Sequence, residues 1–467
     1  MIISKKQLNS ALVWIVISVI ESIILGGLQY SEESLAIVSM IVMINIFFQI
    51  IIIKKCEFGI VSFFTAFIVM LYLFHFGQVI CVAFDLNSAD SVVLKQYMTN
   101  RTAVMSTLKI CINCINAVFI GGLFANNRIN NTENYIDIGA ENNIKHFGSV
   151  LFWISLPFRL FIDISHIIVG YSGGYLAAYS SVSVSGVIGC IASFWYVSLP
   201  LLYLAIEEEK KKKVFLWVSL FYMIITMMLS GSRANQMVGL VGLAIVVFIS
   251  KERRLRFTDV VKYAILGLLV VFLISVIQET RTYGGAYLIN NFSSAAKDSI
   301  NNNFLFNAMN EFGSTIWTPY LVVDGVASLH PFPGETILKS LITVVPNLFR
   351  SSVYANIQRD AVIGYILIDD LSVRGIGGSF IAEIYYDFNF TYILFAALFG
   401  CIYNSASWKV KNAVKSRAFS KMSISIPFLV FGIFWVRDSF CGFLRSLVWI
   451  AILYYIYRKV KFSSKFH

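Results

Sequence analysis

Twelve runs of apolar residues constrain this chain more than any other feature. They are 11–28, 35–53, 60–84, 103–124, 147–169, 186–206, 214–230, 235–250, 263–278, 379–405, 423–437 and 443–457. A helix that crosses the hydrocarbon layer needs about 20 mostly apolar residues. Lipid offers backbone groups no hydrogen-bond partners, so each run must satisfy its own, which a helix does. The pattern predicts an all-α polytopic membrane protein of about twelve transmembrane helices, with 235–250 and 423–437 the shortest. Composition points the same way: 58% of residues are hydrophobic and 13% charged, against roughly 45–50% and about 25% in soluble domains. An ordinary soluble enzyme, a disordered chain and a secreted disulfide scaffold are excluded.

The charge balance is +11. In a soluble protein that would suggest nucleic acid; in a membrane protein, basic residues gather on the cytoplasmic side. With the N-terminus inside and the runs alternating, 24 of the 37 Lys and Arg fall in inner segments, including Lys210 to Lys213 and the tail after 457. Five, Lys95, Arg101, Arg233, Arg437 and Arg445, fall in short outer loops or at the run ends that border them, and Lys109 and Arg159 lie deeper within runs. Both termini are therefore expected in the cytoplasm, and no nucleic-acid partner is expected. The chain divides into a bundle of about nine spans (1–278), a large outer loop (279–378), and C-terminal spans with a basic tail (379–467). The loop carries Phe304, Phe306, Phe312, Trp317, Tyr320 and Phe349, which suits a folded, largely helical cap. Its amphipathic stretch 335–349 suits either the membrane interface or the bundle.

The seven cysteines, 56, 81, 111, 114, 190, 401 and 441, imply no disulfide framework. Cys111 and Cys114 form a C-x-x-C within an apolar run and have no second pair, so packing is the expected role. His330 has no partner at metal spacing, and no H-E-x-x-H or cysteine cluster occurs on the outer side. No metal and no cofactor are expected. No phosphate-binding P-loop occurs either.

Basic residues on the outer side run against the favoured orientation, so each needs a reason. Arg233 (LSGSRAN), Arg281 (QETRTYGG), Arg374 (RGIGGSFIAE) and Arg437 (WVRDSF) all fall near one membrane surface. Guanidinium groups bind phosphate bidentately and stay charged. The four arginines either form a site for an anionic headgroup or act as interfacial anchors paired with Glu279, Asp438 or Glu383. Gly375, Gly377 and Gly378 precede a helix starting near Ser379, where backbone N–H groups attract anions. Glu383, one turn on, is either a general base or an ion-pair partner. Glu311 is a second acidic candidate, or a solvated loop carboxylate. In the fifth run Arg159, Asp163 and His166 share a helix face by their i, i+4, i+7 spacing. They form a structural pair or line a polar cavity.

At these residues the chain resembles the Wzy-type O-antigen, or oligosaccharide repeat-unit, polymerases. The segment RGIGGSFIAEIYYDFNFTYILFAALFG (374–400) is similar to that family's G-G-S-x-x-A-E-x-Y-x-x-F block. SGSRAN, NEFGSTIWTPYLVVDGV, FPGETILKSLITVVPNLF and RDSFCGFLRSLVW resemble its arginine turn, outer loop and last span. The likeness covers about residues 230–450. YYDFNF departs from it, placing Asp387 and Asn389 where Asn-Phe-Gly is common. The resemblance implies a metal-independent membrane glycosyltransferase at the outer face of the bacterial cytoplasmic membrane. It would transfer a growing O-antigen or capsular chain from undecaprenyl pyrophosphate onto a new lipid-linked unit. Arg233, Arg281, Arg374, Arg437 and Arg159 would hold pyrophosphate, helped by the backbone at Gly377 and Gly378. Glu383 or Glu311 would act on the acceptor hydroxyl, and Tyr283, Trp317 and Tyr320 would stack on sugars or pack in the core. Partners would be the lipid-linked oligosaccharide and membrane lipid, with a chain-length regulator and a flippase as candidates. The alternatives are a lipid-linked oligosaccharide flippase or other transporter, and an O-antigen ligase.

Overall fold

Eleven of the twelve apolar runs each fall on one helix, and 379–405 is divided between two, Phe380–Phe388 and Tyr392–Ser416, by a 3-10 turn at Asn389–Thr391. The computed structural model describes residues 4–84, 93–126, 144–182, 186–231, 234–251, 257–280, 283–325, 333–347, 351–368 and 377–463. Among the described residues there are no strands. The helices rich in apolar residues are α1 (Lys5–Gly27), α2 (Glu32–Lys55), α3 (Phe63–Ala83), α4 (Arg101–Leu123), α5 (Phe147–Ser181), α6 (Gly186–Ala205), α7 (Glu209–Ser230), α8 (Ala234–Ser250) and α9 (Phe257–Thr280). The 279–378 segment supplies α10 (Gly285–Asn301), α11 (Phe304–Gly313), α12 (Trp317–Val323), α13 (Glu335–Ile342), α14 (Ser352–Asp360) and α15 (Ile363–Leu367). Then come α16 (Phe380–Phe388), α17 (Tyr392–Ser416), α18 (Phe419–Trp435) and α19 (Phe440–Ser463). Nine described segments are long and apolar enough to cross a membrane, counting 380–416 as one; Gln236–Ser250, Ile265–Gln278 and Phe419–Trp435 are shorter.

The sequence starts these helices with small polar residues. Ser31, Ser62, Asn100 and Ser379 accept hydrogen bonds from the backbone N–H groups of Ser34, Thr65, Ala103 and Ala382, and Ser4 forms a capping box with Gln7. Each cap satisfies a donor that lipid or protein would otherwise leave bare. Gly231, at φ 68°, ends α7 in the left-handed region. α1 turns Leu12, Val16 and Ile23 outward, more than half exposed. So broad an apolar surface is costly in water and costs nothing against lipid.

The chain folds into two compact units that alternate along the sequence. The first holds 1–136, 309–412 and 431–449; the second holds 137–308, 413–430 and 450–467. In the first, α4 and α17 cross with their backbones in contact. A methyl at Gly121 would lie 1.8 Å from the Ala397 carbonyl oxygen, and one at Gly400 would lie 2.0 Å from that of Val118. Small residues permit such close approach, which drives helix association in membranes. A second crossing joins α3 to α11: Gly77 meets the Met309 carbonyl, and Gly313 meets the backbone of Gln78. From the 279–378 segment, α12 and α15 add Val322, Ile363 and Leu367 to a core with Ala382 and Tyr386 of α16. In the second unit Met227, Val276, Ile277, Leu288 and Ala295 join α7, α9 and α10.

The 335–349 stretch is helical only as far as Ile342, and Leu338, Leu341, Ile342 and Val345 remain exposed. That apolar ridge has the character of an interfacial helix.

Candidate functional site

Around the start of α16, four elements of the first unit meet: α3, the α11–α12 corner, residues 377–383, and the turn between α18 and α19. Ser379 and His75 fix the junction. His75 Nδ1 lies 2.8 Å from the Leu71 carbonyl oxygen and so carries the proton; Nε2, 2.8 Å from Ser379 Oγ, therefore accepts. Thr318 Oγ1 donates to the Gly377 carbonyl at 2.9 Å. Gly378 is explained by packing: a methyl there would lie 2.4 Å from the Asp438 carbonyl oxygen.

Glu383 lies beneath this turn, 2% exposed. Its Oε2 accepts from Trp435 Nε1 at 2.5 Å and from the Phe440 backbone N–H at 2.8 Å. Its Oε1 has no partner among the described residues. Phe380, Phe399 and Phe443 surround Trp435 at 4.7–5.4 Å between ring centres. Glu383 thus ties α16 to both ends of the 436–439 turn.

That turn presents two charges. The Arg437 guanidinium is partly exposed and lies 5.8 Å from the centre of the Phe74 ring. Among the described residues its side chain has no hydrogen bond or ion pair. Asp438 is exposed, with Oδ1 accepting from the Ser439 backbone N–H at 2.7 Å. Desolvation by the surrounding protein raises its carboxyl pKa, and bonds from Ser439 pull the other way. Phe74 also touches Phe312, ring centres 5.4 Å apart, so half-buried Glu311 lies one residue from the wall beneath Arg437.

Helices of the 279–378 segment are pinned to this region. Asp387 accepts from the Thr336 backbone N–H and hydroxyl at 3.1 and 2.6 Å, holding α13 on α16. Arg445 donates to the Thr343 carbonyl at 3.0 Å and Trp449 to the Val344 carbonyl at 2.9 Å. Lys339 bridges Glu335 and Asp360 at 2.8 and 3.0 Å. Burial disfavours its charge, but the two carboxylates outweigh that and raise its pKa.

Arg159 belongs to the second unit and is 5% exposed. Asp163 binds it bidentately, and Tyr222 donates to the same carboxylate at 2.6 Å. The spacing expected a pair on one helix face, and the pair is closed. Arg233, Arg281, Arg374 and His330 lie outside the described residues. Among the aromatics, Tyr320 is core, its hydroxyl accepting from the Asn100 N–H. Trp317 stacks on exposed Tyr97 at 5.2 Å, and Tyr283 is exposed beside Tyr287. The cysteines form no disulfide among the described residues. Among the described residues no three of His, Cys, Asp and Glu gather as metal ligands do.

Asp438 is the residue sequence reasoning undervalued. The sequence offers it only as a partner for arginine, because nothing in WVRDSF says that the residue is exposed on the turn. His75 and Trp435 gave no signal, since both sit in continuous apolar runs.

The family model described as O-antigen polysaccharide polymerase Wzy matches residues 10–465. No curated protein and no solved structure matches the chain.

Proposed function

The chain belongs to the O-antigen polysaccharide polymerase Wzy family, and we propose that it builds its polymer at the 436–439 turn, on the outer face of the bacterial cytoplasmic membrane. The donor is a glycan chain carried on undecaprenyl pyrophosphate, and the acceptor is a new lipid-linked repeat unit. An acceptor hydroxyl attacks the donor's anomeric carbon. The glycosidic bond forms as the bond from that carbon to the pyrophosphate oxygen breaks. Undecaprenyl pyrophosphate departs with the electron pair, and the hydroxyl proton passes to a carboxylate.

One observation carries this reading: a guanidinium with no hydrogen bond or ion pair among the described residues, Arg437, stands next to an exposed aspartate, Asp438, on a turn that Glu383 ties at both ends. Negative charge grows on the pyrophosphate as the bond breaks, and a fixed guanidinium stabilises that change more than the ground state. Arg233, Arg281 and Arg374 are the further arginines proposed for the pyrophosphate. Arg159 is not among them, because Asp163 already holds its charge. Asp438 receives the acceptor proton, with Glu311 the second carboxylate. Glu383 positions the turn through Trp435 and the Phe440 N–H. The backbone at Gly377 and Gly378 sets the distance between that turn and α16. Trp317 with Tyr97, and Tyr283, offer flat faces for sugar rings.

The test is complementation of a polymerase-null strain, reading surface glycan as a ladder on a gel with expression checked. The wild-type chain restores long ladders; Arg437→Ala and Asp438→Asn leave single repeats. Full ladders from both variants would remove this turn from the chemistry. Transfer of glycan to lipid A core without any lengthening would mean a ligase. Lipid-linked units trapped inside the null cell would mean a flippase.

A further inference from the structure

Far from that turn in the fold's logic, a second group of polar residues lies inside the apolar helices of the first unit. Glu21 of α1 is 7% exposed, six residues before the helix ends. Its Oε2 accepts from Asn116 Nδ2 of α4 at 2.7 Å and from Asn45 Nδ2 of α2 at 3.1 Å. Asn116 Oδ1 accepts from Trp14 Nε1 and from Gln49 Nε2, both at 3.1 Å. Gln49 Nε2 also donates to Tyr72 Oη of α3 at 3.0 Å. Asn45, Gln49, Asn116, Tyr72 and Trp14 are each 1% exposed or less. Five side chains from four helices thus join one buried network, in which Asn45 and Asn116 bond to the carboxylate directly.

Two features set the group apart from an ordinary buried network. First, its carboxylate has no countercharge: no Lys, Arg or His forms an ion pair with Glu21 among the described residues. Lys109 of α4 is the nearest candidate along the helix, but its Nζ lies by Gly26, 3.1 Å from where a methyl there would sit. His75, three residues after Tyr72, has both nitrogens engaged elsewhere. Lys5 and Lys6 of α1 and Lys54 and Lys55 of α2 stand at helix ends, Arg101 begins α4 over the Tyr30 ring, and Tyr72, Cys111 and Cys114 carry no positive charge. Second, two of the network's acceptors are unmatched. Asn45 Oδ1 and Gln49 Oε1 are buried with no hydrogen-bond partner. The nitrogen of each of these amides donates within the network, Asn45 to Glu21 and Gln49 to Asn116 and Tyr72, so each spare oxygen belongs to an amide already held there. An unneutralised carboxylate is costly inside a membrane and rarely persists there without a partner. An unmatched buried oxygen is costly as well. A single small cation relieves both costs, because it neutralises the charge and meets the spare oxygens.

We propose that Glu21, with the amide oxygens of Asn45 and Gln49, forms an intramembrane site for one monovalent cation, a proton or a sodium ion. The site is built from α1 and α2 and closed by α3 and α4. A proton on Glu21 turns it from an acceptor into a donor toward a spare amide oxygen. A sodium ion takes oxygen ligands from the carboxylate and both amides. Either occupant leaves Oε2 accepting from Asn45 and Asn116.

Dicyclohexylcarbodiimide, which couples to protonated carboxyl groups in apolar surroundings, reads this site in the full-length protein in lipid nanodiscs. Peptide mapping is expected to find the label on Glu21 and to find none in Glu21→Gln, an isosteric change that keeps the network's shape. Labelling slows ~10-fold per pH unit above its midpoint, as one exchangeable proton requires. The sodium arm exchanges choline for sodium at fixed ionic strength and pH. Slower labelling in sodium identifies sodium as an occupant; an unchanged rate identifies the proton alone. Asn45→Leu with Gln49→Leu, which keeps Glu21, shifts the pH midpoint or abolishes the sodium effect. The proposal is overturned if Glu21 stays unlabelled at every pH in the folded protein yet labels once unfolded. It is equally overturned if labelling ignores both pH and sodium.

Discussion

Arg159 and Arg437 each place a guanidinium in predominantly apolar surroundings, and the chain treats the two differently. Around Arg159 the charge is matched from within. Asp163 grips it with two bonds, Tyr222 braces the same carboxylate, and the Tyr196 ring lies 5.3 Å away. Around Arg437 the described residues offer only an aromatic face, and neighbouring Asp438 forms no ion pair with it. A buried ion pair holds a structure in register, whereas an open guanidinium is available to an anion. The contrast assigns stability to one site and binding to the other, and it can be broken by measurement.

The largest effect is expected at the closed pair. Asp163→Ala leaves Arg159 buried without its partner, which costs about 3–5 kcal/mol. The measurement is unfolding of the purified protein in mixed micelles, with Arg159→Met/Asp163→Leu as the control that removes both charges and recovers most of the loss. Arg437→Ala should leave that unfolding curve within about 0.5 kcal/mol of wild type, as surface changes away from packing do. Its loss appears in polymerisation, at about 100-fold to 1,000-fold, the scale of one removed transition-state donor. Lys at 437 keeps the charge but not the fork and recovers only part of the rate. A destabilised Arg437→Ala, or a stable Asp163→Ala, would erase the distinction.

A smaller effect separates Asp438 from Glu383. A base must be deprotonated to take the acceptor proton. Desolvation places the Asp438 pKa above the usual carboxylate range, so activity is expected to fall as pH drops through that raised value and to level off above it. In a reconstituted assay, Asp438→Asn loses the acid limb of the kcat/KM profile along with about 100-fold or more of the rate. Glu383→Gln keeps that limb, since it retains an acceptor for Trp435 and for the Phe440 N–H. A limb that disappears with Glu383→Gln instead would move the base from the turn to the helix beneath it.

Much of the fold is legible in the sequence because its signals are local. The apolar runs give the helices, and Ser31, Ser62 and Asn100 mark where three of them begin. The i, i+4 spacing of Arg159 and Asp163 gives the closed pair, although Tyr222 joins it from another helix. The site is less legible because its meaning comes from residues distant in the chain. Glu383 reads as a base from its neighbours Gly377, Gly378 and Ser379. Trp435 and Phe440, 52 and 57 residues on, convert it into a tether. Gly378 reads as a ligand-binding glycine, while the Asp438 backbone gives it a packing reason as well. Glu21, Asn45, Gln49 and Asn116 each look like a single interruption of an apolar run, and only the pairing of α1, α2 and α4 brings them together.

The smallest expected effect tests how firmly the turn is held. Ser379 caps α16 and donates to His75, 304 residues away in sequence. Ser379→Ala removes the cap and leaves His75 Nε2 without its donor, at a cost of about 1–2 kcal/mol. The turn is tied to α16 through Glu383, so that loss should reach polymerisation only as a few-fold fall in rate. The acid limb of the pH profile should stay where it is. His75→Gln, which offers Ser379 another acceptor, should restore part of the stability. A fall in rate as large as that of Arg437→Ala, with the protein still folded, would place Ser379 among the groups that touch substrate. The open charge at Arg437 would then be one part of a site that extends down to the helix start.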